Sequence, residues 1–190
     1  ALLEKLGYKY ADKIVGTMPG LAVHVEKIIG KNNKVNFIPQ GVSLDFYRNN
    51  QQNVDDEYIN EYIPKGKFIV TYAGTMGVSN VLEHVISAAK ILDKKENNIH
   101  FLFVGNGREE KALKAQAKGL TNVTFAPRVV KEKIQSILIK SNILVASVKN
   151  EKVYEFGVSL NKFIDYMFAK KPIICMFSGY QSMINEANCG

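Results

Sequence analysis

The sequence predicts an α/β fold: a doubly wound, Rossmann-like parallel sheet. Three observations carry this prediction. From residue 67 onward, short apolar runs alternate with helical patterns, which is the rhythm of βαβ units. The runs themselves, such as KFIVTYAG and IHFLFVG, are nearly unbroken apolar stretches, as strands covered on both faces require. The turns after the first two runs are glycine-rich, AGTMGVS at 73–79 and GNGREE at 105–110.

In chain order, ALLEKLGYKYA reads as a helix and DKIVGT as a short strand. Pro19 opens a helix through Ile29, and Gly30 closes it, following the preference for Pro at a helix start and Gly past its end. KVNFIPQGV is a strand running into a turn. Residues 43–56 are polar and rich in Asn and Gln, and so predict a linker. A short helix over DEYINEYI follows and stops at Pro64. KFIVTYAG is a strand. In NVLEHVISAAKIL, residues Val81, Leu82, Val85, Ala89 and Leu92 share one helical face. The remaining strands are IHFLFVG, NVTFA, NILVASV and PIICMF. The helices among them are EEKALKAQAK, KEKIQSILIKS, the segment after Ser159, and YQSMINEAN.

Bulk properties narrow the function classes. The chain has 190 residues, 46% of them hydrophobic, with a formal net charge of +7. A basic chain favours anionic partners. Its lysines are scattered rather than clustered with aromatics, which argues against nucleic acid. Cys175 and Cys189 lack metal-ligand spacing, so reduced thiols in a cytoplasmic protein are expected. Cys175, inside PIICMF, is expected to be buried. No apolar run approaches the roughly 18 residues that span a bilayer. The chain opens inside a helix without Met and stops at a C-cap glycine, which predicts a piece of a longer protein, truncated at both ends.

In such sheets, ligands sit beyond the carboxyl ends of the strands. The segment GVSLNKFIDYMFAKKPII, residues 157–174, starts a helix at that edge. Ser159 is its expected N-cap. Lys162 and Asp165 stand three residues apart and so share a face. A cation beside free helix N–H groups suits a phosphate. An acid one turn deeper suits a ribose diol. The alternative from spacing alone is a solvated ion pair contributing a few tenths of a kcal/mol. GNGREE lacks the third glycine of a dinucleotide fingerprint.

These segments carry a resemblance. ADKIVGTMPGLAVHVEK with KVNFIPQGVSLDFY, then VTYAGTMG, IHFLFVGNGREEKALK, NVTFAPRVVKEKI and FGVSLNKFIDYMFAKKPII, resemble in order the C-terminal part of GT-B glycosyltransferases of family four. These are retaining enzymes that use nucleotide-sugars. The last segment is similar to the S-P-N-K variant of capsule and O-antigen (lipopolysaccharide) enzymes that transfer amino-deoxy sugars. The resemblance implies three regions. Residues 1–46 are the end of an N-terminal domain and the crossover. Residues 47–66 are a linker and short helix. Residues 67–190 are an incomplete nucleotide-sugar-binding domain.

It also implies roles. Asp165 holds the ribose hydroxyls. Gly74, Thr75 and Gly77 face the diphosphate, and the backbone at Arg128 and Val129 meets the base. Phe156, Gly157, Val158 and Asn161 lie beside the donor sugar, with Lys162 as the phosphate cation. Glu155 stands near the family's first acid, but nine residues separate it from Asp165, more than the family's usual spacing. Gly157 takes the position of standard spacing, and Leu160 replaces the variant's Pro. The 73–80 loop lacks the Arg and Lys that many relatives carry, which throws weight onto Lys162. No cofactor or metal is expected.

The expected activity is hexosyl transfer, with UDP-sugar as donor and a glycan or polyprenyl-linked acceptor, on the cytoplasmic face of a membrane in surface polysaccharide synthesis. The missing N-terminal domain is expected to hold the acceptor, so this chain alone is expected to bind nucleotide without transferring sugar. Gly74, Gly105, Gly157, Lys162 and Asp165 are expected to line one cleft. Asp165→Ala is expected to weaken UDP binding and leave folding nearly intact. His24, His84 and His100 are expected to be structural. Two rival readings are a sugar-nucleotide 2-epimerase of the same fold and a non-catalytic basic α/β binding module.

Overall fold

The computed structural model describes residues 2–95 and 98–190. In chain order its elements are α1 (Leu2–Tyr10), β1 (Ile14–Gly16), α2 (Leu21–Ile29), β2 (Val35–Phe37), α3 (Leu44–Asn49), α4 (Asp56–Tyr62), β3 (Phe68–Ala73), α5 (Glu83–Asp93) and β4 (Ile99–Val104). They continue with α6 (Glu110–Gln116), β5 (Val123–Ala126), α7 (Ile134–Leu138), β6 (Ile143–Ser147), α8 (Asn161–Phe168), β7 (Ile173–Met176) and α9 (Met183–Glu186). They form two compact units.

The smaller unit comprises residues 1–42, 150–161 and 178–188. Its strands β1 and β2 pair in parallel. Ile14, Leu21 and Val25 make its core, with Tyr8, Met18, Ile29 and Val35 packed around them. Gly30 closes α2 in the left-handed conformation at φ 73°, and its N–H donates to Glu26 O. Only glycine reaches that region without steric cost.

The larger unit comprises residues 43–149, 162–177 and 189–190. It is built on a five-stranded sheet in the order β5-β4-β3-β6-β7, and every neighbouring pair is parallel. This is the expected doubly wound sheet. The inner strands are buried almost end to end, with Thr71, Leu144 and Ala146 fully enclosed, which is why their sequences show no period-two alternation. Val70, Tyr72, Phe101, Phe103, Val85, Ile86, Ala89 and Leu113 form the main core. The two edge strands, β5 and β7, are less enclosed. Ile174 is 49% exposed and Cys175 only half-buried, because an edge strand lacks a neighbour to cover it.

The polar run at 43–56, expected as a linker, contains α3. Ser43 caps it, its hydroxyl accepting from the Phe46 N–H at 3.3 Å. Asp55 caps α4 in the same way through the Tyr58 N–H at 2.8 Å. Both caps satisfy orphan donors of a first helical turn.

Candidate functional site

The strands all run the same way, but the direction in which successive strands are added reverses between β3 and β6, since β4 and β5 lie to one side and β6 and β7 to the other. Such a switch point opens a crevice beyond the strand ends. The loop after β3 stands there. Gly74 has φ 144° and Gly105, after β4, has φ 137°. A side chain on Gly105 would collide with the Gly74 carbonyl, and one on Gly107 with the backbone of Met76. The two loops are also tied by Met76 N–H to Asn106 O at 2.8 Å and Glu109 N–H to Met76 O at 3.0 Å. The glycines of GNGREE therefore serve close backbone packing, which supports the loop at 74–77.

Helix α8 is pinned to the sheet by Tyr166. Its hydroxyl accepts from Ala73 N–H at 2.9 Å and lies 3.1 Å from Val145 O. Phe163 and Tyr166 are wholly buried. Lys162 precedes Tyr166 by four residues, so it lies over the same face one turn nearer the helix start. That turn carries its ammonium to the end of β3. Lys162 Nζ donates to Tyr72 Oη at 2.9 Å and to Asn80 Oδ1 at 3.2 Å. It lies 4.2 Å from the Tyr72 ring centre, and 3.5 Å from where a side chain on Gly74 would begin. Burial holds the Lys162 pKa down at about 8, partly offset by the neighbouring Cys175. Burial in turn pushes the Cys175 thiol up to about 11. Thr75 is exposed beside Gly74, and its carbonyl accepts from Tyr72 Oη at 2.7 Å. The Gly77 N–H donates back to the same carbonyl at 3.0 Å.

Asp165 does not pair with Lys162. Its carboxylate takes both oxygens to Lys131 Nζ at 2.5 Å and accepts from Tyr47 Oη at 2.6 Å. Gln135 donates to its backbone carbonyl at 2.9 Å. Tyr47 stacks on Phe168, centroids 4.0 Å apart and planes within 7°. Desolvation and the adjacent carboxylate push the Tyr47 hydroxyl well above its ordinary pKa. The Asp165 side chain is 11% exposed and that of Lys131 47%. Asp165 is thus a buried acid paired within the fold rather than a solvated one, and its removal would leave Lys131 and Tyr47 without their acceptor. The expectation that Asp165→Ala spares the fold is corrected on that ground.

Helix α8 begins at Asn161, so Leu160 rather than Ser159 directly precedes it; Asn161 itself is exposed. Arg128 is exposed and Val129 half-buried in the stretch after β5, where Tyr58 of α4 donates to Pro127 O at 3.0 Å. In the smaller unit, Gly157 has φ 109°, and a side chain there would lie 2.7 Å from the Pro19 ring. Gly20 N–H donates to Phe156 O at 2.8 Å. Phe156, Gly157 and Val158 are buried. Glu155 pairs with Lys27 at 3.1 Å, both side chains more than half exposed. His24 contacts Glu4 at 2.7 Å and the Phe156 ring. His100, buried, lies 2.9 Å from Thr124 Oγ1, and burial lowers its pKa.

The structure therefore gathers Gly74, Thr75, Gly77, Gly105 and Lys162 around one strand end. Asp165 lies a turn away with Lys131 and Tyr47. The sequence reading missed Tyr47, Tyr72, Asn80 and Lys131. Tyr47 lay in a run read as linker, although the aromatic pair Phe46–Tyr47 within it was a signal of anchoring. Tyr72 looked like one more apolar strand residue. Among the described residues, no cluster of His, Cys, Asp and Glu is arranged to hold a metal ion, and no helix is long and apolar enough to cross a membrane.

A family model described as Glycosyl transferases group 1 matches residues 67–190. No curated protein matches the chain significantly. Among solved structures, Anabaena Alr3699/HepE in complex with UDP superposes with a TM-score of 0.69 at 14% identity, over 95% of this chain and 50% of that one. WaaG, a glycosyltransferase involved in lipopolysaccharide biosynthesis, gives 0.67 at 18% identity, over 94% and 48%. S. aureus TarM in complex with fondaparinux, alpha-GlcNAc-glycerol and UDP gives 0.63 at 14% identity, over 92% and 32%. The chain spans between 32% and 50% of the length of these proteins. At such identities the likeness is one of fold, and the fold is that of one half of a GT-B enzyme.

Proposed function

We propose, from the premise that this chain belongs to the glycosyl transferases group 1 family, that its larger unit holds the nucleotide diphosphate of a sugar donor. The observation that carries the proposal is the Lys162 ammonium beside Gly74 at the switch point of the sheet, held by neutral partners. The donor is a UDP-sugar. That choice is supported by HepE, solved with UDP and with UDP-glucose, by TarM with UDP, and by the pneumococcal O-GlcNAc transferase GtfA with UDP and GlcNAc. The acceptor is a glycan or a lipid-linked saccharide of surface polysaccharide synthesis, a reading supported by the WaaG fold likeness.

The chemistry follows from charge. Transfer breaks the bond between the anomeric carbon and the diphosphate oxygen and forms one to an acceptor hydroxyl oxygen, whose proton is released, and the leaving nucleoside diphosphate gains negative charge. A fixed cation at that oxygen stabilises the transition state more than the ground state. Lys162 supplies the cation, and the exposed backbone at Gly74 and Thr75 supplies close approach. Asp165, with Lys131 and Tyr47, holds the ribose, and the backbone at Arg128 and Val129 the base.

The test is a thermal shift of the purified chain with UDP, GDP, ADP and single-stranded RNA. UDP alone is expected to raise the melting temperature. Equal shifts with all nucleotides, or a shift with RNA only, would overturn the reading.

A further inference from the structure

The loop after β3, AGTMGVSNV at 73–81, carries no basic residue of its own. Its cation comes from α8, and two neutral side chains meet it. Tyr72 Oη accepts from Lys162 Nζ at 2.9 Å and donates to the Thr75 carbonyl at 2.7 Å. Asn80 repeats the arrangement from the other end of the loop. Its Oδ1 accepts from the same Nζ at 3.2 Å, and its Nδ2 donates to the same Thr75 carbonyl at 2.9 Å. Each side chain thus joins the ammonium to the turn. Asn80 is held in its own right: its carbonyl accepts from the Ser147 hydroxyl at the end of β6, and Lys149 N–H donates to Ser79 O at 2.8 Å. The next residue, Val81, has φ 39°, a conformation that a β-branched residue adopts only when its surroundings enforce it.

We propose that Tyr72 and Asn80 are positioning residues of the donor site: they fix the Lys162 ammonium over the Gly74–Thr75 turn, where it meets the diphosphate in place of a cation on the loop. The inference rests on the donor-nucleotide reading. A free lysine side chain loses rotamer entropy on gripping a ligand. Here the ordering is done by folding, so less is lost on binding. The identity of the holders matters as much as their place. A carboxylate partner would cancel the charge, whereas a phenol oxygen and an amide oxygen accept a hydrogen bond and leave the charge for an anion. The Tyr72 ring face adds cation–π attraction. Because the Tyr72 side chain is wedged in the core at 1% exposure, its oxygen stands at a fixed height above the strand end.

The experiment is a double-mutant cycle read by UDP calorimetry on the whole 190-residue chain. Single variants Tyr72→Phe and Asn80→Ala, with Lys162→Met alone and combined with each, are checked for folding by circular dichroism. Tyr72→Phe keeps the ring in the core, and Asn80→Ala lies outside it, so failure of one to fold leaves the other. Lys162→Met is expected to weaken UDP by about tenfold or more, and each single variant by roughly three- to tenfold, while in the Lys162→Met background neither costs more than about twofold. Losses of equal size in both backgrounds would show a purely structural role and overturn the proposal. Undiminished UDP affinity in the single variants would also overturn it, leaving the donor-nucleotide reading intact. Absence of UDP binding by the unmutated chain would overturn that reading and the proposal with it.

Discussion

Lys162 is the residue on which the nucleotide reading turns, and its titration gives a directional prediction. Burial places its pKa at about 8 in the free chain, and the groups facing it are Tyr72, Asn80 and Cys175. A diphosphate binds the ammonium form and raises that pKa. Below pH 8 the ammonium is already formed, so UDP affinity is flat. Above pH 8 the free chain loses the proton that the complex needs, so affinity falls by up to about tenfold per pH unit. Calorimetry between pH 6.5 and 9.5 measures this, and a flat profile would remove Lys162 from the phosphate. Asp165 gives a second prediction. Asp165→Ala strands two donors around a buried site, so it is expected to lower stability by about 1–3 kcal/mol as well as weaken UDP. Tyr47→Phe keeps the stack on Phe168 and is expected to cost only about 1 kcal/mol. Urea midpoints compare the two, and a neutral Asp165→Ala would show that the cluster contributes nothing to the fold.

At the scale of elements, helix ends and turns decide geometry. Helix α8 presents Lys162 to the strand end because Tyr166, one turn on, is bonded to β3 and β6. The same helix runs out through Lys170, which is exposed and left-handed at φ 54°, its N–H donating to Met167 O at 3.0 Å. A side chain costs energy there that glycine avoids. Lys170→Gly is therefore expected to raise stability by about 0.5–1 kcal/mol, seen as a higher urea midpoint with unchanged slope; a decrease would mean the lysine side chain contributes more than its backbone strain costs. The turn at Gly157 gives the opposite case. With φ 109° and the Pro19 ring 2.7 Å from the added carbon, Gly157→Ala is expected to cost about 1–3 kcal/mol. Limited proteolysis of the smaller unit should detect the loosening, and unchanged protection would contradict the packing described.

Across the whole molecule, ligand binding and stability are linked. A nucleotide that binds only the folded larger unit adds about 2.7 kcal/mol at a hundred times its dissociation constant. For a chain of this size, that corresponds to roughly 5–10 °C in melting temperature. UDP at saturation is expected to give that shift in the β3–β7 sheet, followed by hydrogen exchange of its strand amides. Transfer is a separate matter: the chain spans 50% or less of the matched enzymes, and holding donor and acceptor together supplies much of the rate in such reactions. We therefore expect UDP binding without turnover when the 190-residue chain is incubated with labelled UDP-sugar and a lipid-linked acceptor.

The sequence by itself determined the α/β class and the succession of strands and helices from residue 67. The reason is local: unbroken apolar runs, periodic helix faces and glycine turns each report the burial of their own segment. It also determined that Lys162 belongs at a helix start near a strand end, because that follows from chain order in a βαβ unit. The tertiary structure alone decided the partners. Lys162 and Asp165 are neighbours by spacing, yet one is bonded to Tyr72 and Asn80 and the other to Lys131 and Tyr47. Which neighbour an ionisable group meets depends on strand order and on residues distant along the chain, here 82 and 118 positions away for Asn80 and Tyr47, and no local pattern records that. The helix in the polar run at 43–56 was hidden for the same reason: aromatic packing across the fold, Tyr47 on Phe168, anchors it where hydrophobic periodicity is absent.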